Sequence, residues 1–214
     1  LTGLNPSSTY TWYVASVCED GTELASATST FMTPCATISM FPYVEDFETS
    51  SVQCWSVELI SGSYYWSLSQ QYSNSPSTSA MFTYNTGASA RLISPVIDLT
   101  SISNPTLSFY YANTNWNNDG DSLAVYYRTS AETEWTLLWG TSEPTGPNHE
   151  DRLFIPDTIL LPNPTATYQI SFVGVGLDAY NVYVDDVKIE EGEGGDTPVV
   201  VPPTVSTLAA TEVT

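Results

Sequence analysis

The sequence predicts an all-β protein whose main body is a β-sandwich, on three observations. Apolar and aromatic residues recur in short runs of strand length, such as "TLSFYYANT", "SLAVYYRTS", "TYQISFVGVG" and "NVYVDDVKIE". Clusters of Ser, Thr, Asn, Gly and Pro punctuate those runs, and no window holds a helical period. β-branched and aromatic side chains are dense throughout. With 42% of the 214 residues hydrophobic and 13% aromatic, there is ample material for one good-sized core.

Taken in order, residues 1–34 come first. "YTWYVASVCEDGTELASATSTFMT" reads as two strands joined by a turn at "EDGT". Leu4, Pro6 and Tyr10 resemble the corner motif of the fibronectin type III family, and the segment is similar to the last two strands of such a domain. The resemblance implies part of an Ig-like domain whose other strands lie upstream. "LTGLNPSSTY" lacks the basic start and apolar middle of a signal peptide, in keeping with a piece of a longer chain. An isolated hairpin is marginal in water, so this segment is expected to be the least stable. Residues 35–190 form the body. Residues 191–203, within "EEGEGGDTPVVVPP", read as an acidic linker rich in Gly and Pro. Residues 204–214, "TVSTLAATEVT", resemble the first strand of a further fibronectin-like module.

Charge narrows the function. Asp and Glu number 24 against 4 Lys plus Arg, a formal net charge of −20. Such a surface repels nucleic-acid phosphates and anionic lipid head groups, and it attracts cations. No window approaches the roughly 18 apolar residues of a membrane span. Most of the acids read as the solubilising surface of an extracellular protein.

Some acids are more specific. In "YVEDFETSSVQCW", strand alternation turns Phe47 one way and Asp46 and Glu48 together the other way. Two carboxylates on one face repel unless a cation sits there or water screens them. A second cluster is "NTNWNNDGDS", where Asn115, Asn117, Asp119 and Gly120 match the first ligand positions and the glycine turn of an EF-hand loop. Position 12 is Tyr126 and no helix flanks it, so an EF-hand is rejected. A metal loop and a plain Asn/Gly hairpin turn both remain open.

The cysteines are Cys18, Cys35 and Cys54, and they fit no zinc spacing. Cys18 sits at the turn end of its hairpin and Cys35 beyond the far end of the next strand, too far for a bridge at about 3.3 Å per residue. Cys35 and Cys54 flank the opening strand of the body. A bridge between them closes a loop worth roughly 3 kcal/mol in the chain-entropy model. Cys18 is then left over.

Catalysis finds no support. His149 is the sole histidine, it sits in the loop "EPTGPNHEDRL", and no G-x-S-x-G element accompanies it. Acids are plentiful, but no motif sets two of them across a cleft. "GVG" at 174–176 is a pair of glycines in a strand and not a phosphate loop. Binding remains. Tyr64, Tyr65, Trp66, Trp116, Trp135 and Trp139 are the aromatic candidates, and packing is the default for each. Trp116 stands apart among Asn and Asp, so it is the first candidate ligand contact, with Tyr111 and Asn117 beside it. Trp135 and Trp139 are expected to pack.

"PYVEDFETSSVQCWSV", "YYWSLSQQ", "ARLISPVIDL", "LSFYYAN", "DSLAVYYR" and "VYVDDVKI" occur in an order that resembles the bacterial cleaved-adhesin domains of gingipain-type proteases. Those modules are similar to the MAM domains of animal cell-surface receptors. The resemblance covers nearly the whole body. It implies a jelly-roll sandwich, export across the bacterial envelope (often by the type IX route), an adhesive role and structural calcium. It further implies that the first strand lies near the last, bringing Asp46 and Glu48 to Asp185 and Asp186. Alternation admits only one of those two aspartates, and Asp186 is favoured. Asp119 and Asp121 join the candidate calcium ligands through the loop before "DSLAVYYR". Calcium is the natural counter-ion, since it takes 6–8 oxygens and four basic side chains cannot neutralise these acids. The alternative is that the acids face solvent at strand edges.

The expectation is therefore a non-catalytic, calcium-stabilised adhesion or binding module in a secreted or cell-surface bacterial protein. Its partner is a host or matrix protein, or alternatively a polysaccharide to which an attached enzyme is targeted. A monomeric structural spacer is the third reading.

Overall fold

A computed structural model describes residues 2–48, 54–83, 85–117, 120–148, 152–177 and 179–192. The chain divides into two units, Leu1–Thr37 and Ile38–Thr214. Asp119, His149, most of the linker and the segment 204–214 lie outside the described residues.

The first unit is a ribbon. Strands β1 (Thr9–Trp12) and β4 (Ser29–Met32) pair antiparallel, and β2 (Ala15–Val17) pairs with β3 (Glu23–Ala25) nearer the turn. Gly21 supplies the positive φ of +81° that the turn requires, and its N–H donates to the Cys18 carbonyl. Tyr10 stacks on Phe31 at 5.8 Å, and its hydroxyl accepts the Asn5 N–H at 2.8 Å. Trp12, Tyr13, Val14, Val17, Leu24 and Met32 are all exposed.

The second unit holds β5 (Tyr43–Glu45), β6 (Ser56–Ser61), β7 (Trp66–Ser69), β8 (Ser79–Phe82), β9 (Ser89–Ile93), β10 (Pro105–Asn113), β11 (Ser122–Arg128), β12 (Thr136–Thr141), β13 (Ile155–Leu160), β14 (Gln169–Val175) and β15 (Val182–Glu191). One sheet runs β13-β10-β15-β8-β7 and the other β12-β11-β14-β9-β6. From β8 onward successive strands thus cross between the sheets, apart from the β11–β12 hairpin, in the interleaved order of a jelly roll. β5 also joins the first sheet, along the same edge of β15 as β8 but further down: β8 pairs with Val182–Val184 and β5 with Val187–Ile189.

Alternation explains the core. Leu107 and Phe109 of β10, Leu123 and Val125 of β11, Ile170 and Phe172 of β14, and Val187 and Ile189 of β15 are buried at every second position. Phe109 meets Phe172 edge-on at 5.2 Å across the two sheets. The "GVG" glycines make room for close approaches. A Cβ on Gly174 would overlap the Phe82 ring, and one on Gly176 would overlap the Asn85 backbone. Trp139 packs edge-on against Phe109 and Tyr111. Trp135 packs too, but outside the core, with the Arg91 and Arg128 guanidinium groups over its ring at 4.8 and 4.5 Å.

Candidate functional site

Two places gather the residues singled out from the sequence. The first is the junction of β5 and β8 on β15. Strict alternation fails there on both strands. β5 ends at Glu45, and Phe47 takes φ +57° while still burying its ring. On β15 the register against β10 slips between Ser108 and Tyr110, and Asp186 takes φ +48°. This bulge lets both aspartates reach the segment before β8, so the expectation that only Asp186 would do so is corrected.

The contacts are specific. Asp185 is fully buried, and its Oδ2 accepts the N–H of Asn74 at 2.7 Å and of Ser75 at 3.2 Å. The Asn74 side-chain amide donates to Asp186 Oδ2 at 2.7 Å. Glu48 accepts the Thr78 N–H at 2.5 Å and the Ser77 hydroxyl at 2.6 Å. Burial pushes the Asp185 carboxyl up to about 6; its amide donors oppose that rise and the Asp186 charge adds to it. Asp46 folds back locally, accepting the Glu48 N–H at 3.1 Å. Glu48, Asp185 and Asp186 therefore converge on residues 74–78, where amides and hydroxyls meet them.

The donors suit a hard cation in kind: three carboxylates, the Asn74 amide and the Ser75 hydroxyl, whose buried oxygen has no hydrogen-bond partner among the described residues. Among the described residues, however, no three Asp, Glu, His or Cys side chains are set so as to hold a metal ion. Lys188, the nearest base in sequence, pairs with Glu190 at 2.6 Å.

The second place is the loop between β10 and β11. Asn113 and Thr114 are fully buried, and Asn115 nearly so. The Asn113 side-chain N–H donates to the carbonyls of Asp121 at 2.6 Å and Glu143 at 3.3 Å. Thr114 donates to the Asn181 carbonyl at 2.8 Å. Asp121 is fully buried, and its Oδ1 accepts the N–H groups of Leu177 and Ala179 at 2.8 and 3.2 Å. It fastens the β14–β15 loop to the β10–β11 loop, which is a different set of partners from those at the Glu48 junction.

Above this fastened base Trp116 is 40% exposed, edge-on to Tyr180 at 5.0 Å. Asn117 is exposed beside it with φ +53°. Tyr111 is not a ligand contact. It lies in the core against Phe109 and Trp139, where burial raises its hydroxyl pKa, helped by Asp157. Alternation along β10 carries Phe109 and Tyr111 to one face, and that face is the core.

Cys35 and Cys54 are disulfide-bonded, and Cys18 is a free, exposed thiol. One buried acid escaped the sequence reading. Glu45 is 1% exposed, accepting the Phe47 N–H at 3.0 Å and the Tyr43 hydroxyl at 3.3 Å. The signal was present: the alternation that turns Phe47 inward turns Glu45 inward as well.

A family model described as "MAM domain, meprin/A5/mu" matches residues 46–194, well over half of the chain. The chain belongs to the MAM domain family. Among solved structures, this MAM chain is similar to the K1 cleaved adhesin domain of Lys-gingipain from Porphyromonas gingivalis W83. The two share 17% identity with a TM-score of 0.56, covering 72% of this chain and 99% of that one. The K3 domain of the same protein shares 19% identity with a TM-score of 0.55, over 71% and 98% of the two chains. A carbohydrate-binding module of the β-sandwich superfamily shares 16% identity with a TM-score of 0.51, over 87% and 75%. At these identities the likeness is one of fold. No curated protein sequence matches the chain.

Proposed function

We propose that this MAM domain is a non-catalytic, extracellular binding module that attaches a larger bacterial protein to a surface partner. The carrying observation is the loop end built around Trp116. Buried Asn113, Thr114, Asn115 and Asp121 fix the loops beneath an indole that remains exposed. A scaffold that spends buried polar groups to hold a large aromatic side chain in water suits recognition. Secretion to the cell surface fits the acid-rich surface and the disulfide.

Calcium stabilisation belongs to this proposal. Glu48, Asp185 and Asp186, with the Asn74 amide and Ser75 hydroxyl, are the residues that would hold the ion, and they would have to draw together from their present positions to do so. When bound it would supply the positive charge that the junction otherwise draws only from amide dipoles. The upstream ribbon fits the proposal that residues 1–34 belong to a fibronectin-like neighbour. Its six exposed large apolar residues call for a covering sheet.

The test is retention of the purified protein on surfaces coated with extracellular-matrix proteins and with polysaccharides. Saturable retention on at least one of them supports a binding module. Retention on none overturns it in favour of a structural spacer.

A further inference from the structure

The exposed indole is one end of a longer feature. Tyr180, in the β14–β15 loop, meets Trp116 edge-on at 5.0 Å, with an interplanar angle of 70°. Arg152, just before β13, lies with its guanidinium 5.8 Å from the Tyr180 ring centre and 4.4 Å from that of Tyr72. Tyr72, between β7 and β8, stands edge-on to Tyr183 at 5.7 Å. Tyr183 is fully buried yet absent from the cluster between the sheets. It projects from β15 on the other side and is covered by Tyr72 and by Phe154 at 6.2 Å. Four separate loops thus deliver one continuous run of rings and a guanidinium over the outer side of the β15 sheet.

The run ends in water at both extremes. Trp116 is 40% exposed and Tyr72 37% exposed, while Tyr180 and Arg152 between them are half-buried. A guanidinium within about 6 Å of two rings is held by both, which restricts how those rings can turn. Rings fixed in this way offer apolar faces at little cost in side-chain entropy on binding.

We propose that this Trp116–Tyr180–Arg152–Tyr72 surface binds a neutral polysaccharide, an inference that rests on the binding-module reading above and names its ligand. Sugar rings present apolar C–H faces that stack on aromatic rings, and their hydroxyls accept from guanidinium and tyrosine donors. The charge of −20 sets the sign of the preference. A polyuronate or sulfated glycan would meet long-range repulsion, whereas an uncharged chain pays no such penalty. Binding should accordingly be nearly independent of salt.

The experiment is affinity gel electrophoresis of the full chain in gels containing hydroxyethylcellulose, neutral xylan, galactan or polygalacturonate, repeated with Trp116→Ala, Tyr72→Ala and, as a control, Tyr64→Ala. Tyr64 is exposed in the β6–β7 loop and lies outside the run of rings. Thermal melts confirm that each variant is folded. The expected result is retardation by at least one neutral polysaccharide and none by polygalacturonate. The dissociation constant should rise about tenfold in Trp116→Ala and in Tyr72→Ala, and be unchanged in Tyr64→Ala. Retardation that survives both ring variants, or that occurs only with polygalacturonate, overturns the proposal. So does retention on matrix proteins with no polysaccharide binding, an outcome that leaves the binding-module reading standing. Only the loss of every surface partner removes that reading too.

Discussion

The main-chain N–H of Asn74 donates to Oδ2 of Asp185 at 2.7 Å, joining residues 111 apart in sequence. That bond, with those from the Ser75 N–H to Asp185 and from the Thr78 N–H to Glu48, fastens the segment before β8 to the bulge in β15 and the chain just past β5. Three acids are thereby turned toward one short segment, residues 74–78, chiefly by amide dipoles.

Calcium should strengthen this fastening. Adding calcium at a hundredfold excess over its dissociation constant is expected to stabilise the fold by about 2.7 kcal/mol, a rise in Tm of about 5–10 °C. Differential scanning calorimetry with calcium and with a chelator checks this. Identical melts would mean that the amides alone suffice.

Protonation gives a signature of opposite sign in the two conditions. The Asp185 carboxyl is raised to about 6 from 3.8 by burial, so in chelated protein the folded state binds a proton that the unfolded state has released. Stability from this group is full below about pH 4 and lost as pH rises through 6, a fall of the order of 2–3 kcal/mol. Asp185→Asn should flatten that limb in chelator. With calcium present, where the carboxylate form is required, stability should instead rise with pH across the same range. Urea midpoints between pH 4 and 7 measure both slopes.

Asn113 is the fastener beneath Trp116. Asn113→Ala leaves the buried Asp121 carbonyl and the part-buried Glu143 carbonyl without their shared donor, at an expected cost of about 1–3 kcal/mol. Because the same change loosens the loop that carries the indole, polysaccharide retardation should weaken with it. Urea unfolding and affinity gels on one preparation read the two effects.

Gly174 separates stability from binding. Gly174→Ala drives a methyl into the Phe82 ring between the sheets, and overpacking of this kind costs about 1–3 kcal/mol. Its binding at temperatures well below the melt should match the parent chain, since the run of rings lies on the outer side.

The sandwich was legible because its strands are long and regularly patterned. β10, β11, β14 and β15 each alternate or run apolar over seven residues or more, and that pattern specifies sheet and face together. The same rule misled where the backbone departs from it. It set Asp185 against Asp186 because no residue in "YVDDVKI" announces a bulge, and Asp186 takes φ +48° where the register against β10 slips. It placed Tyr111 beside Trp116 through nearness in sequence, although the strand carries the tyrosine inward just before the loop begins. Tyr72, Arg152 and Tyr180 were illegible as a group because they lie on three loops that only the folded chain assembles.

β15 occupies the middle of its sheet, with β10 along one edge and β8 and β5 along the other. Of all the body strands it is the last to be synthesised. Until it arrives, β5 and β8 lack their shared neighbour, and β10 has β13 alone. The body should therefore complete its fold only after synthesis has passed residue 191.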